Sequence, residues 1–188
     1  MDKSKIILPI IIISIVIIFG LVWILGYYPI VFIKPAESGW FGWRPIFAKS
    51  LNTNYEIALN FYKSQLKGNQ TFNSSSTQDE IKRAVLQSLI EDKIIETEIN
   101  RKIGASEFKK LIDEKLNKLD LSIDKIKEGA KLLYGVSVEQ LKNTVLTEQA
   151  KREIAADIFS SPDKNFNNWL EEKFVAAKKV ILIPIKVD

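Results

Sequence analysis

A chain of 188 residues with 46% hydrophobic content and a net charge of +4 has room for one modest domain plus appendages, and it is too apolar for a disordered chain. It contains neither cysteine nor histidine, which excludes disulfide frameworks, Cys or His metal sites, thiol nucleophiles and every triad that needs an imidazole. No cofactor-binding motif or phosphate loop is present, so no cofactor and no metal are expected.

After residues 1–5, MDKSK, expected in the cytoplasm, a run from Ile6 to Ile33 carries no charged side chain. A bilayer core needs about 20 apolar residues in helical form. Ile6 to Leu25 supplies them, so residues 6–27 are expected to form a single transmembrane helix. A cleaved signal peptide would have a shorter apolar region followed by small residues, whereas Trp23, Tyr27 and Tyr28 crowd the exit here. A pilin-type stalk would carry a glutamate inside the apolar helix, and this run has none. Lys3 and Lys5 favour an N-terminus inside, although Lys34, Arg44 and Lys49 reduce the asymmetry. The expectation is a single-pass protein of the cell membrane with its C-terminal domain outside the cytoplasm.

Residues 28–45 read as a juxtamembrane linker, because Pro35, Gly39, Gly42 and Pro45 break any helix. Trp40, Phe41 and Trp43 are assigned to the membrane interface or its neighbourhood, where aromatic rings are at home, and Ile46 and Phe47 to the domain that occupies 46–188.

Helix starts are marked by three capping boxes, TNYE from Thr53, TQDE from Thr77 and SVEQ from Ser137, and by Ser161 followed by Pro162. Gly68, Gly104 and Gly135 supply stops, and Gly68 to Ser76 forms a polar loop whose two N-x-S/T matches carry no functional reading. The helix from Gln78 to Ile103 has apolar residues on two opposed sides, Ile81, Val85, Leu89, Ile99 and Ile103 against Leu86, Ile90 and Ile94. Two apolar sides require neighbours on both, so this helix is expected as the spine. Amphipathic stripes follow at Phe108, Leu111, Ile112, Leu116 and Leu119, and at Phe166, Trp169, Leu170 and Phe174. The terminal KVILIPIKV, Lys179 to Val187, reads as a strand, with RPIFAK from Arg44 as its expected partner in a short two-stranded pairing. The predicted fold is mainly α.

The segments AVLQSLIEDKIIETEINRKIG (84–104) and YGVSVEQLKNTVLTEQAKREIAADI (134–158) resemble the N-terminal chaperone domain of SurA-like proteins. The same module occurs in other bacterial extracytoplasmic parvulin-type foldases and, more distantly, in trigger factor. FNNWLEEKFVAAKKVILIP (166–184) resembles the helix and strand that close it, so the likeness covers about 46–187. It implies a chaperone. Parvulin domains would lie between the two helical parts, but only FSSPDKN (159–165) occupies that place, so no prolyl isomerase activity is expected.

Glu91 and Glu98 could share a helical face like the carboxylates of a hydrolase, but Lys93 and Arg101 are interleaved with them in the pattern of a solvated helix. The basic residues alternate with acids and form no aromatic–basic platform, so no nucleic acid is expected as partner. Two classes of function remain. The first is a membrane-anchored holdase that binds unfolded or newly translocated polypeptides in apolar grooves between helices; the second is a tethered scaffold for one specific partner. The expected client-binding residues are Phe108, Leu111, Tyr134 and Leu141, facing a groove between the spine and the helix that starts at Ser137.

Overall fold

The computed structural model describes residues 17, 20–22, 25–36, 42–65, 75–121, 124–161 and 165–182. Strand β1 (Pro29–Lys34) is central in a small sheet, flanked by β2 (Arg44–Phe47) and β3 (Lys178–Ile181), both antiparallel to it. Val31 opposes Ile46 on one side and Ile181 on the other.

This arrangement corrects the expected two-stranded pairing. KKVI and RPIF do not pair with each other; each pairs with PIVFIK, which lies between them. The expected linker at 28–45 therefore holds the central strand. Ile30, Val31 and Ile33 are all buried, and a strand buried on both faces reads as an unbroken apolar run rather than an alternation. β1 thus continues the composition of the apolar segment before it and is indistinguishable from that segment's tail. Val180, Ile181 and Leu182 are exposed, so β3 contributes backbone pairing more than side-chain burial. Pro45 sits on the edge strand β2, where a missing N–H is tolerated.

Gly26, at a φ of 72°, turns the chain into the sheet. Its carbonyl accepts from the Lys49 N–H at 2.9 Å, and that of Tyr28 from Ala48 at 3.0 Å. Those are two of the donors that the start of a helix leaves unpaired. Helix α1 (Ala48–Gln65) therefore begins at the sheet, and Thr53 lies within it rather than capping it.

Helix α2 (Ser75–Ile103) is the spine and encloses Thr77, which likewise does not mark the start. After it come α3 (Ala105–Asn117) and α4 (Asp124–Gly129), which continues as a π turn over Ala130–Tyr134. A second π turn, Lys142–Leu146, joins α5 (Val138–Leu141) to α6 (Thr147–Phe159), and α7 (Phe166–Ala176) leads into β3. α2 packs against α1, α3, α6 and α7, as its two apolar sides require. Leu86, Ile90, Ile94, Ile95 and Ile99 are buried along it, and the core they begin extends to Ile33 and Ile46 of the sheet and Trp169 of α7.

Ser137 forms the expected capping box, its Oγ accepting from the Gln140 N–H at 3.1 Å while Gln140 Oε1 accepts from the Ser137 N–H at 3.1 Å. Ser161 does not cap α7; Asn165 does, its Oδ1 accepting from the Asn168 N–H at 2.9 Å. Pro162 lies outside the described residues, as do Gly68, Trp40 and Phe41. Trp43 is exposed. The Ile6 to Leu25 run also lies outside them apart from Ile17, Gly20 to Val22 and Leu25, and among the described residues no helix is long and apolar enough to cross a membrane. Ile17, Leu21, Val22 and Leu25 are exposed.

Candidate binding groove

Two cavities adjoin along one side of α2. The first, of about 280 Å3, lies between α1, α2 and the segment from Tyr134 to Glu148. α1 contributes Ile57, Ala58, Phe61 and Tyr62, α2 contributes Val85 and Leu89, and Tyr134 and Val145 close the far wall. The joint at Gly135 makes that wall. Gly135 adopts a left-handed φ of 69°, and a Cβ there would meet the Asn60 Nδ2 at 2.5 Å. That same Nδ2 donates to the Tyr134 carbonyl at 3.2 Å, and the Tyr134 ring stacks on Phe61 with centroids 5.2 Å apart. The left-handed φ favours glycine, and a Cβ there would displace the Asn60 side chain from this bond.

The second cavity, of about 430 Å3, lies towards the sheet and is lined by Tyr27, Ile46, Phe47 and Lys49, by Asp92, Lys93 and Glu96 of α2, and by Asn143, Thr144, Glu148 and Lys151. Asn54, Leu89 and Glu148 line both cavities, so the two form one groove with an apolar and a polar end. From Val85 to Glu96 the floor advances about 16 Å at the helical rise, the length of roughly five residues of extended polypeptide.

A carboxyl pair sits where the two ends meet. Asp92 is 5% exposed, and its Oδ1 has no hydrogen-bond partner. Glu148, from the first turn of α6, lines the same cavity. Burial pushes the Glu148 carboxyl up to about 7, reinforced by the negative charge of Asp92, while Lys151 and Arg152 oppose the shift. Burial also raises Asp92, against the same two cations. Both carboxyls are thus harder to ionise than ordinary ones.

Of the four expected client-binding residues only Tyr134 lines the groove. Phe108, 4% exposed, belongs to the core; Leu111 is half-buried against that core; Leu141 is 7% exposed. These three sit on inward-facing stripes, and an amphipathic pattern alone does not separate a core face from a groove face. Glu91 and Glu98 form no pair. Glu91 accepts from Arg152 of α6 at 2.8 Å, whereas Glu98, only 2% exposed, meets Arg101 at 2.7 Å and Lys173 of α7 at 3.4 Å. The expected solvated face is therefore partly buried, with helix-bridging ion pairs. Phe61, Val85 and Leu89 were readable as apolar positions, but the meeting of Asp92 with Glu148 has no local signature. Among the described residues no group of acidic side chains is arranged to hold a metal ion.

Comparison with family models, with curated proteins and with solved structures finds no match for this chain.

Proposed function

We propose that the domain binds apolar segments of unfolded or newly translocated polypeptides in the groove along α2, as a holdase without isomerase or other catalytic activity. The observation that carries this reading is the apolar end of the groove, where half-buried aromatic rings stack across a cavity instead of filling it. Such a surface favours varied apolar side chains without demanding one shape. Two client side chains entering it would contribute roughly 1.5–3 kcal/mol each, and association costs leave a weak, reversible complex of the kind a holdase needs.

We further infer that the apolar N-terminal run anchors the domain in the membrane, N-terminus inside, with the groove outside the cytoplasm. The exposed Ile17, Leu21, Val22 and Leu25 support an apolar surface that lipid would cover. Clients would then meet the groove as they leave the membrane.

The double variant Phe61→Ser, Tyr134→Ser in the full chain tests the groove. Affinity for unfolded chains should fall at least about tenfold, equivalent to roughly 1.4 kcal/mol, while the helical melt keeps its cooperativity. Unchanged affinity in a folded double variant would remove the groove from the account.

A further inference from the structure

The helical turn that includes Leu21 and Val22 is bonded directly to the domain. The Leu25 N–H donates to the Leu21 carbonyl and the Tyr27 N–H to that of Val22, both at 2.9 Å, and the Gly26 carbonyl then receives the Lys49 N–H at the start of α1. Tyr27 and Lys49 therefore meet where the helix enters the domain. The Lys49 ammonium donates to the Tyr27 hydroxyl and lies 4.3 Å from the centroid of its ring. Both side chains are exposed, and among the described residues no carboxylate is paired with Lys49.

The sheet brings the end of β3 to the same end of the domain. The Leu182 N–H donates to the Ile30 carbonyl at 2.9 Å, so β3 runs towards the end of β1 where the helix enters, and Ile181 and Leu182 are exposed there. Trp43 lies at the opposite end, next to Arg44, which pairs with Ile33. Measured along the strands, Leu182 and Trp43 are about 13 Å apart.

We propose that the end of the domain carrying Tyr27, Lys49, Ile181 and Leu182 rests on the bilayer surface, with Tyr27 and Lys49 among the phosphates of anionic lipids, so that the polar end of the groove opens at the membrane. This rests on the proposed anchoring of the N-terminal run and assigns how the domain is oriented on the bilayer. A helix from Ile6 to Leu25 spans a hydrocarbon core of about 30 Å. Tyr27, two residues further on, then falls in the headgroup layer, where tyrosine rings are enriched and a lysine keeps its ammonium at the phosphates. The bonds from the Lys49 and Ala48 N–H groups to the Gly26 and Tyr28 carbonyls hold the start of α1 at that height as well. Exposed apolar side chains at this end, Leu25, Ile181 and Leu182, are the kind of surface that a lipid interface covers. Tyr27, Phe47 and Lys49 also line the polar end of the groove, whereas Phe61 of the apolar end is about 18 Å along α1 from Lys49. A polypeptide leaving the bilayer would meet the polar end first.

The chain has no cysteine, so a single fluorophore can be placed through Leu182→Cys or Trp43→Cys, both at exposed positions outside the core. Each full-length variant would be reconstituted in nanodiscs of phosphatidylcholine with phosphatidylglycerol and exposed to a headgroup-attached quencher or to acrylamide. The Leu182 label should be quenched from the headgroups, and the Trp43 label by acrylamide. Lys49→Gln should lower the ratio of docked to undocked domains about fivefold, equivalent to the roughly 1 kcal/mol that one lysine contributes at an anionic surface. Nanodiscs of phosphatidylcholine alone should have the same effect. Equal headgroup quenching at both positions, or none at Leu182, in a chain that stays with the nanodiscs overturns the docking and leaves the anchor standing. Quenching at Leu182 that ignores both Lys49→Gln and lipid charge overturns the phosphate contact. Shielding of Leu182 from both quenchers would show another protein surface on β3 and overturns the proposal too. A chain that does not enter nanodiscs removes the anchor and the docking with it.

Discussion

Replacing Ile33 by aspartate should unfold the domain. Ile33 is fully buried in β1, the central strand, between Arg44 of β2 and Lys179 of β3 in register. A carboxylate there would lie in the core without a partner, a loss of several kcal/mol against a total stability of about 5–15 kcal/mol for an ordinary domain. Ile33→Ala, which only empties the site, should lower stability by about 2–5 kcal/mol. Chemical denaturation followed by circular dichroism reads both effects. If residues 28–45 acted merely as a linker, neither change would shift the midpoint.

The second large effect is a fall in stability as pH rises. Glu148 is raised from an ordinary 4.5 to about 7, and Asp92 is raised as well. Groups raised in the folded state bind more protons there than in the unfolded chain, so the stability they contribute is full below the ordinary carboxylate value. It is lost progressively from about pH 4.5 to about 7 and levels off above that. A shift of this size corresponds to roughly 3 kcal/mol for Glu148. Glu153 acts in the opposite sense, its carboxyl held low by the hydrogen bond from Lys115, so what it contributes is lost as pH falls through its own lowered value. That contact is on the surface and contributes little. Denaturation midpoints between about pH 4.5 and 8 should therefore decline, and Glu148→Gln should flatten the decline. A midpoint that climbs with pH across this window would show that burial does not hold these carboxyls above their ordinary values.

The helices were more legible than the sheet, for a physical reason. A helix announces itself through local chemistry, and Ser137 with Gln140, Gly135 at a left-handed φ and the two-sided α2 all follow from residues close in sequence. Where a helix start is fixed by distant groups, local reading failed. α1 begins at Ala48 because the carbonyls of Gly26 and Tyr28 receive its first N–H groups, so the attractive box at Thr53 was irrelevant. β1 was hidden by its own burial, since Pro29 to Ile33 prolongs an apolar run without interruption. In the groove, Tyr134 could be found because a glycine joint with an aromatic beside it is a local feature. Asp92 and Glu148 could not, because each looks like one more acid on a charged helix until the packing of α6 on α2 brings them together.

Site-specific photocrosslinking tests the polypeptide-binding account most directly. A photoreactive phenylalanine derivative would replace Tyr62, exposed at the apolar end of the groove, and in a second preparation Leu132, which is 66% exposed and lines neither cavity. Each full-length protein would be offered several unrelated unfolded chains and one folded protein. The account predicts that the Tyr62 position captures all the unfolded chains, that an uncharged apolar peptide competes with them, and that the Leu132 position captures few. Capture from Tyr62 of a single folded partner with the unfolded chains ignored, or equal capture from both positions, would contradict it.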